Sequence, residues 1–387
     1  MKKYIFSKDT LFATLLTFIV IGLLGLLVIN MSAFNPFVKA FKDFDFMNIY
    51  YSKIRKHQGT LDTNIVVVNV GHLKRDSIGL MIQKVNEQHP KIIGFDVFIT
   101  DRKEKTSDSI LKEALGQVKC LVVASDISGS GMAPYFGNFS KGYINLNGAN
   151  SSSTARSFCP FTKNDKITDT SFTATILSLA DGEKFKLLQH RRKHSEYIHY
   201  RGGHEKFRTY SASDIFDSAS DLSLMKNKII LLGYAGSSVG EVVDLEDAHF
   251  TPMNPEISGK SYPDMYGVYI HANILSMMLA EDYIRIMPAW LAWALAAVLC
   301  YLHLIIFAYY YNDKTKWMHI AGKIIQLITS IILLWIEFLV FQYFNYKIDM
   351  LPAIVAIILS IDILYFYEGI VAILKKKTKF KSHFLKH

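Results

Sequence analysis

Residues 64–99 read NIVVVNVGHLKRDSIGLMIQKVNEQHPKIIGFDVFI, and this stretch decides the fold. NIVVVNV (64–70) is a β-branched run bounded by polar residues and Gly71, the pattern of a buried strand. Ile78, Met81, Ile82 and Val85 then recur at helical spacing, which predicts a helix over 76–89 with Asp76 as its N-cap and Pro90 as its stop. KIIGFDVFI (91–99) is a second strand. Ile110, Leu111, Ala114 and Leu115 mark a second helix over 107–118, and KCLVVAS (119–125) is a third strand. Strand and helix alternating over short links predict a mostly parallel sheet with crossover helices.

Downstream the pattern loosens. Residues 126–189 are rich in Gly, Ser, Asn and Thr and read as an irregular insertion, with a strand candidate at 141–146 and a helix near 172–180. Regularity returns with a strand at 196–200 and a short helix at 211–216 capped by Ser211 or Ser213. NKIILLG (227–233) is another buried strand, and a helix over 266–281 follows a long loop.

Beyond this α/β domain, placed at 35–284, the chain is apolar. Residues 11–30, 287–311, 324–344 and 351–374 are each near the roughly 20 residues that a helix needs to cross a bilayer. The first run is long, follows Lys2, Lys3 and Lys8, and offers no small-residue cleavage site, so it reads as an uncleaved anchor. The excess of lysine near cytoplasmic span ends places residues 1–10, the 312–323 loop with Lys314, Lys316 and Lys323, and the 375–387 tail in the cytosol. The domain then lies outside, in the periplasm if the cell is Gram-negative. These segments carry essentially the whole net charge of +9, so the high pI reports topology and gives no case for nucleic acid. Cys120 and Cys159 are read as buried thiols, with pairing in an oxidising compartment the alternative.

An ordered set of short stretches carries a family resemblance. These are Gly94-Phe95-Asp96, Asp108-Ser-Ile-Leu, Tyr200-Arg201-Gly202, Ser211-Ala-Ser-Asp-Ile215, KIILLG at 228–233, Asp247-Ala-His-Phe-Thr251-Pro252 and Gly267-Val-Tyr-Ile-His271-Ala-Asn273. In order and spacing, over roughly 39–284, the chain resembles type-2 CHASE domains, extracellular sensors associated with cyclases and histidine kinases. The plan of one span, a sensor and three spans also matches. The resemblance implies an output domain after the last span, where this chain shows a lysine-rich tail.

In open α/β sheets, ligands bind beyond the carboxyl ends of the strands. Asn69, Asp96 and Asp126 fall there, and the 247–252 loop with Asp247 and Thr251 is placed to fold over the same crevice. Carboxylates gathered there can hold a cation or bind the amine or hydroxyls of a small molecule. The competing reading makes Asp96 a strand-end acceptor and Thr251-Pro252 a turn. Gly233 to Gly240 lacks the Lys-Ser/Thr ending of a phosphate loop and precedes acids. No nucleophile elbow or paired-histidine metal helix is present, and His271 sits among apolar neighbours, so neither catalytic centre, metal nor cofactor is expected. His303, Glu337 and Asp362 lie within spans, with Glu337 about 10 Å and Asp362 about 16 Å from the outer edge. The sum predicts a non-enzymatic membrane sensor relaying ligand or partner binding to a separate membrane or cytoplasmic signalling protein. A structural subunit of an envelope complex is the alternative, and self-association stays open.

Overall fold

The computed structural model describes residues 7–30, 46–55, 60–147, 154–164, 167–237, 242, 244–255, 262–311, 318–377 and 382. Lys2, Lys3, Lys314, Lys316, Lys379, Lys381 and Gly240, on which parts of the sequence reading rest, lie outside these. The chain divides into an α/β unit, Asp43–Ile284, and a helical unit formed by Met1–Lys42 with Arg285–His387.

In the helical unit, α1 (Lys8–Asn30) is the first long apolar helix. The α/β unit opens with β1 (Asp62–Asn69), α2 (Arg75–Glu87), β2 (Ile92–Asp96), α3 (Lys105–Gln117) and β3 (Leu121–Ser125). Lys74, not Asp76, is the N-cap residue of α2. Asp76 lies one residue into the helix, where its carboxylate accepts from the Ser77 N–H. After β4 (Ser140–Tyr143) come two consecutive helices, α4 (Phe172–Ala180) and α5 (Gly182–His190). Then follow β5 (Phe207–Tyr210), α6 (Ala212–Phe216), β6 (Ile229–Gly233) and α7 (Gly267–Leu279). The chain ends in α8 (Ala289–Tyr311), α9 (Met318–Phe344) and α10 (Leu351–Lys377).

All six labelled strands pair in parallel, in the order β5-β1-β6-β2-β3-β4. The last strand made, β6, therefore lies between β1 and β2. Val67, Leu231, Gly94 and Val122 stand in one row across the sheet. Helices α2 and α3 cover one face through Ile78, Met81, Ile82, Leu111 and Leu115, packed with Val66, Val68, Ile93, Phe95 and Leu232. Helices α4 and α7 cover the other. A sheet buried on both faces needs strands apolar throughout, which is why these segments read as runs rather than alternations. Gly94 lets α4 approach closely, since a Cβ there would sit 2.7 Å from Ile176 Cδ1 and 3.0 Å from the Phe172 ring.

The short stretches singled out in the sequence meet in this unit. Asp108, 1 % exposed, accepts from Arg75 at 2.7 Å and from the Lys103 N–H at 2.8 Å, clamping α3 to α2. Ser211 and Asp214 form a reciprocal cap on α6. Asn273 of α7 is fully buried. Its Oδ1 accepts from the Arg201 N–H at 2.6 Å, and its Nδ2 donates to Gly202 O at 2.9 Å.

Three further sequence expectations are corrected. The strand expected at 196–200 is only Glu196–Tyr197, and it belongs to a small antiparallel sheet. The sixth strand of the main sheet is β5 instead. Helix α9 begins at Met318, so Lys323 is helical rather than part of a 312–323 loop, and α10 continues to Lys377 rather than ending at 374. Lys323 Nζ lies 2.7 Å from Asp362, so the charge within the helix has a partner.

Helices α1, α8, α9 and α10 are long and apolar enough to cross a membrane. Ala292, Ala296, Cys300, Leu304 and Ala308 recur every fourth residue along α8, and all are buried. They cluster with Ala353, Ala356, Ile357 and Ile361 of α10. Small residues on one stripe let helices approach closely where lipid offers no hydrophobic drive. Gln326 of α9 donates to Ile357 O at 2.6 Å and adds a polar tie to α10.

Candidate functional site

The carboxyl ends of β1, β6 and β2 align, with Asn69 opposite Gly233 and Gly233 opposite Asp96. A cavity of about 210 Å³ opens beside this edge, lined by Asp96, Phe98, Asp126, Ile144, Asn145, Asp247, His249, Gly267 and His271. Its walls come from the ends of β2, β3 and β4, from the loop before α7, and from the first turns of α7. This is the place where a parallel sheet presents ligand-binding groups.

The five residues singled out from sequence divide. Asp96, Asp126 and Asp247 all line the cavity. Asn69 does not. Its Nδ2 donates to Gly236 O at 2.7 Å, and its Oδ1 accepts from the Ala235 and Gly71 N–H groups, both at 2.9 Å. That side chain holds together the turns after β1 and β6. Thr251 is likewise committed, its N–H and hydroxyl both donating to the Asp264 carboxylate. Burial raises Asp264 to about 6 despite those donors.

Asp96 and His271 form the floor. Their side chains are 7 and 6 % exposed, and His271 Nε2 lies 3.8 Å from Asp96 Oδ2, too far for a hydrogen bond. Among the described residues Asp96 has no hydrogen-bond donor, and His271 Nδ1 is buried without a partner. Phe172 packs edge-on against the imidazole, with ring centroids 5.5 Å apart. Burial pushes Asp96 up to about 8, with the Asp247 charge adding to it. Burial likewise pushes His271 down to about 4. Both shifts follow from withholding water from a charged form.

Asp247 and His249 form one wall. Asp247 adopts a left-handed backbone, φ 52°, and its carbonyl accepts from the Gly267 N–H at 3.0 Å. Gly267 has no side chain where a Cβ would meet the Asp247 carboxylate at 2.8 Å, so the acid lies flat against the start of α7. His249 Nε2 is 3.3 Å from Asp247 Oδ1. At the rim, Asp126 is held by its own turn, accepting from Ser128 Oγ at 2.6 Å and the Ser130 N–H at 2.8 Å. The Ser128 hydrogen bond leads in lowering its pKa.

Asp247→Asn removes the charge that adds to the burial of Asp96. The expected result is a fall of about 1 in the Asp96 pKa, read by infrared titration of the protonated carboxyl band.

The 234–237 segment serves structure. Tyr234 and Ser237 donate to Asp244 at 2.7 and 2.9 Å. In the helical unit, His303 Nε2 is 3.3 Å from Thr329 Oγ1, Glu337 is 5 % exposed, and Asp362 pairs with Lys323. Half-buried Cys120 and buried Cys159 and Cys300 are not joined in disulfides.

Sequence reasoning missed Phe98, Ile144, Asn145 and Gly267, and weighed His271 as a core residue. The legible signal was the glycine that opens an apolar helix four residues before a histidine.

A family model of the CHASE2 domain matches residues 15–308, from α1 through the α/β unit into α8. No curated protein and no solved structure gives a match to the chain.

Proposed function

This chain belongs to the CHASE2 domain family, and we propose that it is a membrane sensor whose cavity at the sheet's carboxyl edge receives the stimulus and whose helices pass it to a separate signalling protein. The observation that supports this reading is the pair Asp96 and His271, buried beside an open cavity with hydrogen-bonding capacity unused among the described residues. Buried polar groups left unpaired cost stability, and a fold keeps them where a ligand completes them.

The α/β unit faces outward and both chain ends lie in the cytosol, a reading that rests on the lysines flanking the apolar runs. The cavity works by binding, without catalysis. A ligand held at Asp247, Gly267 and His271 bears directly on the first turns of α7, and residues 280–288 link α7 to α8. Such a ligand acts only by favouring one of two arrangements of that helix. On α9 and α10, Lys323 and Asp362 remain 40 and 52 % exposed although paired, which offers charged contacts to a partner's helix.

The test is co-purification of the full-length protein from its native membrane in mild detergent. The expected result is a stoichiometric signalling protein whose recovery drops at least about fivefold when Lys323 and Asp362 are both replaced by leucine, a loss of about 1 kcal/mol or more. Recovery of an envelope-assembly complex instead, or of the chain alone, overturns the relay.

A further inference from the structure

The cavity's electrostatics name a ligand class, an inference that rests on the sensing role proposed above. Among the described residues, three carboxyl side chains line the space, and neither lysine nor arginine does. Two imidazoles are present. One is neutral at physiological pH because it is buried, and the other faces Asp247. The N–H of Gly267 is already donated to Asp247 O.

An anion entering this space meets the Asp247 and Asp126 carboxylates, with no lysine or arginine among the described lining residues to receive it. A zwitterionic amino acid meets the same obstacle at its carboxylate. Among the described residues, no three His, Cys, Asp or Glu side chains gather with metal-ligand spacing. A neutral polyol would satisfy hydrogen bonds and leave the Asp247 charge facing the cavity uncompensated. The volume of about 210 Å³ falls below the roughly 300–1,000 Å³ of drug-sized pockets, so the occupant is small. Phe98 and Ile144 supply an apolar side, with an aromatic ring suited to an alkylammonium.

We propose that the cavity takes a small organic ammonium, its cationic head against the Asp247 carboxylate and beside Asp96, which gives up its proton to solvent as the cation binds, and its short apolar body against Phe98 and Ile144. The independent sign of a ligand is His271 Nδ1, buried without a partner at the same site. Asp126 at the rim, already fixed by its turn, attracts the cation on entry.

Charge-selective labelling tests this whatever the identity of the natural ligand. Phe98→Cys is introduced into the full-length protein in detergent, with the unsubstituted protein reporting any background from the native thiols. Its modification rate is measured with a trimethylammonium methanethiosulfonate and with its sulfonate counterpart. Rates are normalised to those of the same reagents with a free thiol. The cationic reagent is expected to react about tenfold faster or more, with the ratio falling toward one in Asp96→Asn/Asp247→Asn. Propylamine is expected to protect the thiol, and alanine and glycerol are not. A thiol reached equally by both reagents, or protected by alanine or glycerol but not by propylamine, overturns the ammonium while leaving a binding cavity in place. A thiol reached by neither reagent, with propylamine also failing to shift the melting midpoint of the unsubstituted protein, overturns the sensing cavity itself.

Discussion

Replacing Asn273 by alanine is expected to lower the unfolding midpoint of the α/β unit by about 5–15 °C, measured by proteolysis across a temperature series on the full-length protein. The amide is fully buried and does four things at once. It accepts from the Arg201 N–H at 2.6 Å and from the Gly202 N–H at 3.4 Å, and it donates to Gly202 O and Tyr269 O, each at 2.9 Å. Alanine leaves the Arg201 donor and the Gly202 acceptor without a partner in the fold. Each orphaned buried group costs about 1–3 kcal/mol, and a unit of this size loses roughly 2–4 °C per kcal/mol. Asn273→Asp separates the components, because it keeps the acceptor and removes both donors. A midpoint within about 2 °C of wild type for Asn273→Ala would show that α7 does not depend on this amide.

The second large effect has the opposite sign. Asp96→Asn is expected to raise the midpoint at pH 9 by about 5–10 °C and to leave it nearly unchanged at about pH 3.5, below the window. Asp96 titrates near 8 in the folded protein, against an ordinary value of 3.8. Between those values the native state holds a proton that the unfolded state has lost, so stability falls as pH rises through the window and levels off above it. Asparagine does not titrate, so the variant escapes that fall. A tenfold difference in proton affinity between the two states corresponds to about 1.4 kcal/mol. Relaxation around a buried carboxylate offsets part of the cost of ionising it, and about 3 kcal/mol is the effect expected to survive. His271 contributes the reverse slope between its folded value of about 4 and the ordinary 6.5, losing stability on acidification. That slope is common to both proteins and cancels in the comparison. A side chain whose loss stabilises the fold is kept for another reason, the usual trade between stability and a binding site. Destabilisation by Asp96→Asn at pH 9 would instead make Asp96 a structural acceptor.

The legible parts of the fold were those where one physical demand dominates. β1, β2, β3 and β6 are buried on both faces, and that demand writes uninterrupted runs such as 64–70 and 227–233. β5 was not legible. Phe207–Tyr210 is a four-residue edge strand with Arg208 exposed, and only its neighbour β1 tells it to be a strand. The second helix of the insertion, α5, buries little beyond Leu188, so its periodicity is faint.

The same logic divides the site. Asp96 and Asp126 were readable because strand ends are fixed by the runs that precede them. Asn69 and Thr251 are polar residues at equivalent places, but local backbone donors and acceptors claim them, and that depends on turns that residue type alone does not specify. His271 arrives from the far end of the unit, and among Ile270 and Ala272 nothing in its neighbourhood distinguishes a cavity floor from a core.

The placement of β6 bears on how the unit is made. A nascent chain that has released β1 and β2 still lacks the strand that joins them, and both inner edges wait while the whole insertion is synthesised. Long-range closure of this kind slows folding and leaves strand edges open to aggregation. Any product truncated before Ile229 therefore behaves as a client of chaperones and proteases, with no smaller folded half to fall back on.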